Sequence, residues 1–268
     1  MKAITCWIDE SEVIHNGKRT WIIGQLITTS EAEQFDLFKK LCAAHRTAKT
    51  WDTLHANEFS KADSRKWSLL IEWLRIFKED SNTYFHALVF QEDGWRNFYP
   101  TAHHYWAHQI FFGLGNKMKE KGVQIQTMFS DVSTITAIMD RRATVTGHII
   151  RSETGDITIE RVGELENIYE ERMLEAISRQ SKKTSALSLR FSFANSRCFD
   201  GLQLCDCLTY MVRQRYLHEN GLSGIEKNFL DLWDAEFLTP KMVRLEDFGF
   251  YEKFNYFKLR PSSVVTRS

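Results

Sequence analysis

The sequence predicts an α/β protein in which a mixed central β-sheet is flanked by helices. The first strand-like runs, residues 3–8 and 21–28, are joined by a hairpin signal, whereas later runs alternate with amphipathic helical patterns. This order is typical of a mixed sheet covered by helices. With 268 residues, a hydrophobic share of 43% and only 3 prolines, the chain can bury one large core.

The amino-terminal elements are predicted from period-two runs and turn residues. Residues 3–8 are interpreted as a buried strand that ends in Asp9 and Glu10, and Asn16-Gly17 marks the turn toward the strand at 21–28. Ser30 opens a helix as part of a capping box. The next predicted elements are a strand over 50–60 ending near Glu58, a helix from Asp63 or Ser64, and a strand over 83–91.

The second half of the chain continues the alternation. Its predicted elements are a helix at 101–122, a strand ending in Asp131, a hairpin from 145–150 and 157–162, a helix at 164–180, a strand at 185–195, and helices at 202–218 and 225–236. We expect residues 1–220 to form one α/β domain, with an insertion at about 143–183. Residues 221–268 are expected to be a helical carboxyl-terminal extension that packs on it.

Charge and cysteine usage narrow the class of protein. Lys+Arg and Asp+Glu both number 35, so no global basic field attracts nucleic acid, and binding would need a local groove. The 5 cysteines are odd in number and form no C-x-x-C motif, which suits reduced thiols. There is no signal-peptide pattern and no run long enough to span a bilayer. We therefore expect a cytoplasmic protein with no membrane partner.

Four acids stand where a ligand site is expected. Asp9, Glu58 and Asp131 end predicted strands, and carboxyl ends of parallel strands open onto the crevice where open α/β sheets bind ligands. Asp206 lies within the apolar helix "GLQLCDCLTY". Taken singly, a strand-end Asp is more often a turn residue or helix cap. Mid-helix, Asp206 has no capping role, so it needs a partner or a cation.

A cluster of these acids predicts bound divalent metal. Two like charges about 4 Å apart repel by roughly 4 kcal/mol at an effective dielectric near 20, so the cluster needs protons or cations. Oxygen-only ligands favour Mg²⁺ or Mn²⁺ over zinc. Two such ions would clamp the attacking and leaving oxygens of a phosphodiester. The cysteines that flank Asp206 are interpreted as packing residues, because a C-x-C on a helix points its thiols to different faces.

Four motifs resemble the bacterial family called domain of unknown function 3800. They are "WIDES" at 7–11, "LHANEF" at 54–59, "FSD" at 129–131 and "LQLCDCL" at 202–208. The family is similar to the RNase H-like superfamily, whose members cut or transfer phosphodiesters with clustered acids and two Mg²⁺ or Mn²⁺. The resemblance implies an RNase H-like fold and a metal-dependent nuclease, a hydrolase acting on DNA or RNA. This chain departs from the family pattern at Glu12, where the family has Gly.

The resemblance also implies roles for individual residues. Asp9 would bridge the metal ions, and Glu58, Asp131 and Asp206 would complete the ligand set. Three further residues would support the site: Glu10 beside Asp9, His55 for support or proton handling, and Gln203 one helical turn before Asp206. Independently of the resemblance, Arg213 lies two helical turns beyond Asp206 and could hold a phosphate if the site is a nuclease.

Two alternatives remain open at this stage. The chain could be a catalytically inactive RNase H-like scaffold or subunit that binds nucleic acid or a protein partner, for example in a defence or mobile-element system. The aromatic and basic tail "FGFYEKFNYFKLR" could stack unpaired bases, but a packed strand or a dimer contact is the simpler interpretation.

Overall fold

A mixed sheet forms the centre of the chain in a computed structural model. The structure describes residues 2–28, 31–80, 82–91, 132–140, 148–151, 157–160, 166–167, 169–171, 174, 188–237 and 254–258. The strands are β1 (Lys2–His15), β2 (Lys18–Thr28), β3 (Thr83–Gln91), β4 (Val132–Asp140), β5 (His148–Arg151), β6 (Ile157–Glu160), β7 (Ser188–Ala194) and β8 (Phe254–Lys258).

Five strands in the order β7-β4-β1-β2-β3 make up the sheet, and β8 extends it beside β3. Neighbours β1, β2 and β3 are antiparallel. Strands β4 and β7 run parallel to β1, and β8 runs parallel to β3. The predicted mixed sheet is therefore confirmed. Strands β5 and β6 form a separate antiparallel pair, which confirms the predicted hairpin.

Helices cover the two faces of the sheet. The α-helices with described bounds are α1 (Glu31–Ala48), α2 (Ser64–Glu79), α3 (Asp200–Glu219) and α4 (Lys227–Phe237). Trp7 of β1 shares a buried core with side chains from all four of these helices. On the opposite face, Tyr169, within a helical stretch, stacks on Phe191 of β7 with ring centroids 4.6 Å apart.

The first hairpin is longer than the sequence predicts. β1 does not end at Asp9 but continues to His15, because its last residues pair with β2 down to His15–Lys18. Asn16 and Gly17 form the turn with positive φ angles of 51° and 73°, the backbone that a two-residue hairpin of this kind requires. Asp9 therefore lies inside a long strand, and the prediction that it ends its strand is wrong.

The segment predicted as a strand over residues 50–60 is also different. It is irregular up to His55 and then forms a 3-10 helix, Ala56–Lys61, that contains Glu58. Two of its backbone N–H groups bond to side chains of α3 instead of a neighbouring strand. Its apolar residues Leu54, Ala56 and Phe59 are buried in the helix-covered core. The alternation of apolar and polar residues over residues 50–60 therefore reflects the packing of a loop and a 3-10 helix, not a strand.

The carboxyl-terminal region contributes both helix and strand. Phe229 and Trp233 of α4 are buried in the same core as α3, and β8 pairs with β3. Three predictions lie outside the described residues: the Ser30 helix cap, the helix at 101–122 and the strand that ends in Asp131. Within the described part of the chain, no helix combines the length and apolarity needed to cross a membrane.

Candidate functional site

Three aspartates from three elements converge on one face of the sheet. In the register of β1 and β4, Trp7 lies opposite Ile138 and Ile8 opposite Met139, so Asp9 and Asp140 follow directly on adjacent strands. Side chains alternate along a strand, so Asp9 shares the face of Trp7 and Asp140 that of Ile138. Both of those apolar residues pack in the core beneath α3. The two carboxyl groups therefore point toward the helix that carries Asp206.

Two glycines let α3 approach the sheet closely. A Cβ on Gly201 would lie 2.8 Å from the Trp7 ring, and one on Gly24 of β2 would overlap the Thr209 hydroxyl of α3. The Cys205 thiol donates to the Trp7 carbonyl at 3.3 Å. Because the helix is held this near to β1, Asp206 lies close enough for its negative charge to act on the carboxyl group of Asp9.

The charges of the three aspartates are coupled. Burial raises the pKa of Asp9 well above its ordinary value, and Asp206, Glu10 and Asp140 raise it further, in that order. Burial also raises the pKa of Asp140, against hydrogen bonds from Ser196, and the charge of Asp206 adds to the rise. Such mutual repulsion in partly buried carboxyls favours a bound proton or cation. We refer to Asp9, Asp140 and Asp206 as the acid centre.

His55 lies at the rim of the acid centre. Its Nδ1 is 3.7 Å from Asp206 Oδ2, and the same oxygen accepts the Ala56 N–H at 3.0 Å. The interaction with Asp206 raises the pKa of His55 against the effect of burial, and the charges of Glu58 and Asp140 raise it further. About a fifth of the His55 side chain is exposed, at 21%, so the imidazole can exchange protons with solvent.

Gln203 joins the two segments that border the acid centre. It is 2% exposed; its Oε1 accepts the Leu54 N–H at 2.7 Å, and its Nε2 donates to the Ser196 carbonyl at 3.1 Å. Leu54 precedes His55, and the Ser196 N–H donates to Asp140 at 2.8 Å. The amide therefore fixes the backbone beside both His55 and Asp140, although no contact between Gln203 and the acids is seen.

The other predicted site residues lie farther out. Glu58 is 55% exposed and 4.0 Å from Lys66, and it is absent from the charges that act on Asp9. Glu10 follows Asp9 on the strand and acts on it through charge. Arg213 donates to the Glu12 carbonyl at 3.2 Å and lies over the Tyr210 ring. Asp131 lies outside the described residues.

Asp140 is the site residue that the sequence-based prediction missed. The run "VSTITAIMD" alternates, with Ile135, Ala137 and Met139 buried, and it ends in Asp140. This alternation of apolar and polar residues is the same pattern that predicts the other strands. The predicted strand ends at Asp131, however, whereas the observed strand begins at the next residue. Val132 begins β4 eight residues before Asp140, about 26 Å away along an extended strand.

The donors of the acid centre suit a hard divalent cation. All three side chains offer only carboxylate oxygens, which Mg²⁺ and Mn²⁺ prefer. Cys205 and Cys207 are buried, and burial raises the pKa of each thiol well above its ordinary value, which leaves them as neutral packing residues. As placed, no group of three or more His, Cys, Asp or Glu among the described residues is close enough to hold an ion.

Comparison with known proteins adds no relative to this picture. No protein-family model, no curated protein and no solved structure matches the chain significantly.

Proposed function

We propose that the protein is a divalent-metal-dependent nuclease of RNase H-like fold that hydrolyses phosphodiester bonds in nucleic acid. The motif resemblance to the family called domain of unknown function 3800 belongs to the same proposal. The ligand set proposed here is Asp9, Asp140 and Asp206, with Asp140 in the place that the sequence assigned to Asp131.

One observation carries the proposal. Carboxyl groups from two adjacent parallel strands and from the helix above them converge, and burial together with neighbouring negative charge raises the pKa of both Asp9 and Asp140. If this repulsion served no function, replacing any one of the three acids with a neutral residue would make the folded protein more stable. A cation bound between the three carboxylates would replace their repulsion with attraction. All three side chains are partly exposed, so an ion from solution can reach them.

Side chains and backbone groups around the acid centre would hold and orient such an ion. Asp9, Asp140 and Asp206 would bind Mg²⁺ or Mn²⁺, which would neutralise phosphate charge and acidify a bound water. The Ala56 and Ser196 N–H groups orient Asp206 and Asp140. His55, half-buried beside Asp206, would give a proton to the leaving oxygen.

Cleavage by variants of the acid centre tests the proposal. Asp9→Asn and Asp140→Asn keep the size of each side chain, and the amide introduced by Asp140→Asn retains an oxygen that can accept the Ser196 N–H. We expect each change to lower Mn²⁺-dependent cleavage of labelled DNA or RNA by about 10³-fold or more, since several kcal/mol of charge stabilisation is lost. Mn²⁺ binding, followed by calorimetry, should weaken in parallel.

Asp36→Asn provides the matched control. Asp36 is an exposed acid on α1 that pairs with Lys40 at 2.7 Å, and it is not among the charges that act on Asp9. This variant should bind Mn²⁺ and cleave like the wild type. Equal cleavage by wild type, Asp9→Asn and Asp140→Asn would refute the assigned ligands. Wild-type protein that neither binds Mn²⁺ nor cleaves would refute the proposed function.

A further inference from the structure

An exposed tryptophan lies next to the segment that borders the acid centre. The Trp51 side chain is 67% exposed, although large aromatic rings normally bury most of their surface. It lies four positions before His55 in the sequence, so the two Cα atoms are at most about 14 Å apart. The ring therefore belongs to the short segment that leads to the rim of the acid centre.

One face of the Trp51 ring is supported from below. The ring stacks on the imidazole of His45 with centroids 5.2 Å apart and an interplanar angle of 7°. His45 is itself buried, bonded through Nδ1 to the Thr50 carbonyl at 2.9 Å, and edge-on to Trp73. A ring so exposed and stacked on one side presents its other face to solvent. A flat aromatic surface that is already held in place binds another ring with little further loss of entropy.

The residues around Trp51 connect it to the acid centre. His45 Nε2 is 3.5 Å from Asp200, the first residue of α3, and Phe199 just before it is 38% exposed. The 3-10 turn Ser196–Cys198 precedes Phe199 and carries the N–H that bonds to Asp140. Trp51 and Phe199 therefore belong to the two segments that Gln203 joins beside the acids.

Two exposed cations lie near Trp51 in the sequence. Arg46 and Lys49 are within five residues of it, and the nearby acids are the exposed Asp52 and the partly exposed Asp200 beside His45. Aromatic rings with neighbouring cations are the means by which proteins hold unpaired bases while the backbone follows a basic track. A base inside a duplex is already stacked on both faces and therefore cannot stack on the Trp51 ring.

We propose that Trp51 is a stacking platform for an unpaired base of a single-stranded nucleic acid whose backbone reaches the acid centre. This inference rests on the proposed function and specifies its substrate as single-stranded. Trp51 is a positioning residue: it holds the strand and leaves the reacting phosphate to Asp9, Asp140 and Asp206.

Fluorescence anisotropy with short labelled oligonucleotides tests the platform. The full chain is titrated, with Ca²⁺ replacing Mn²⁺ to limit cleavage, into single-stranded DNA and RNA of one sequence and into the corresponding duplex. Trp51→Ala should weaken single-strand binding by about 5- to 100-fold, whereas Trp51→Phe should retain part of the affinity. The melting temperature should stay near that of the wild type, because the ring is exposed.

Phe35→Ala is the matched control. Phe35 is 71% exposed on α1, and it lies outside the two segments that Gln203 joins beside the acids. Its removal should change binding by less than about twofold. Equal effects of Trp51→Ala and Phe35→Ala would overturn the platform even if Mn²⁺-dependent cleavage is intact.

Oligonucleotides with a single abasic site separate stacking from a structural role. Moving the abasic site along the strand should reveal one position where loss of the base weakens wild-type binding, and the same change should have no further effect on Trp51→Ala. If the abasic penalty is identical in both proteins, the base does not stack on Trp51. If wild-type protein neither binds nor cleaves any of these strands, the platform and the proposed function both fail.

Discussion

Asp200 and Asp206 lie on the same helix, α3, but their surroundings differ. Asp200 is the first residue of the helix, and its two oxygens meet His45 Nε2 and the Cys42 thiol, each at 3.5 Å. Asp206 lies about 1.7 turns later, where its charge acts on His55 and on two other aspartates. Both side chains are partly exposed, at 19% and 24%.

The difference teaches that position on a helix does not decide the role of an acid. Asp200 lies at the positive end of the helix dipole, beside a histidine that can carry a compensating charge, so its neighbourhood accounts for it without a ligand. Asp206 adds its negative charge to those of Asp9 and Asp140. The two residues can therefore be tested against each other.

The largest expected difference is in cleavage. If the proposed function holds, Asp206→Asn should lower Mn²⁺-dependent cleavage by about 10³-fold or more, because the proposed ion would lose a charged ligand. Asp200→Asn should retain the reaction with a loss below about tenfold, since it alters only support for His45. Rates measured on one labelled strand distinguish the two variants. Equal losses would mean that the two acids serve the same purpose.

The next effect concerns stability with and without metal. The raised pKa of Asp9 means that the folded protein binds this proton more tightly than the unfolded chain does, so the metal-free protein should lose stability as the pH rises through the folded-state pKa. Mn²⁺ at a hundredfold excess over its Kd should add about 2.7 kcal/mol at neutral pH. Denaturant unfolding of wild type and Asp200→Asn should display this gain.

The same experiment on Asp9→Asn supplies the contrast. That variant should be at least as stable as wild type in EDTA at neutral pH, because a repelling charge is gone, and it should gain little from Mn²⁺. A variant that is less stable than wild type in EDTA would indicate that the Asp9 charge is structural.

Disrupting the close packing of α3 against β2 should change the free energy of unfolding by a similar amount. Gly24→Ala places a methyl group against the Thr209 hydroxyl of α3 and should destabilise the protein by about 1–3 kcal/mol. Thr209→Ala in the same chain removes the hydroxyl that the methyl meets, so the double variant should recover part of this loss. Chemical denaturation of both single variants and the double variant measures the coupling. If the two changes in the free energy of unfolding simply add, α3 shifts freely to make room for the added methyl group.

The smallest effect belongs to His45 and Asp200. Burial works to lower the pKa of His45, but Asp200 and the Thr50 carbonyl outweigh it and raise the value above 6.5. The pair should thus contribute about 0.5–1 kcal/mol below pH 6.5 and lose it as the pH rises through the folded-state pKa. Unfolding of wild type and Asp200→Asn at acid and alkaline pH should differ by this amount. An identical pH dependence would exclude the pair as its source.

Patterns within a single element made most of the fold predictable. The helix start at Asp63 is confirmed, since its side chain accepts two N–H groups of the first turn. Strands β2, β3 and β7 and helix α3 lie close to their predicted positions because each shows a clear period. The predictions failed where contacts between distant parts of the chain replaced local pairing, as at residues 50–60.

The candidate site was predictable only in part, for the same reason. Asp206 is predicted because an acid within an apolar helix needs a partner, and Asp9 because it follows the apolar run at residues 3–8. Glu58 looked equivalent to them, yet it is exposed on a 3-10 helix beside Lys66. Nothing in one strand states which acid of another strand will lie beside it, so Asp140 was not selected.

The sequence by itself determined the α/β class, the identity of most helices and strands, and the presence of acids in apolar surroundings, since these depend on neighbours within a few residues. Only the tertiary structure decided which acids meet. The parallel register of β1 and β4 brings Asp140 next to Asp9, and the close approach of α3 over Gly24 and Gly201 brings Asp206 to both. Register and helix approach depend on contacts across more than a hundred residues, which no local pattern encodes.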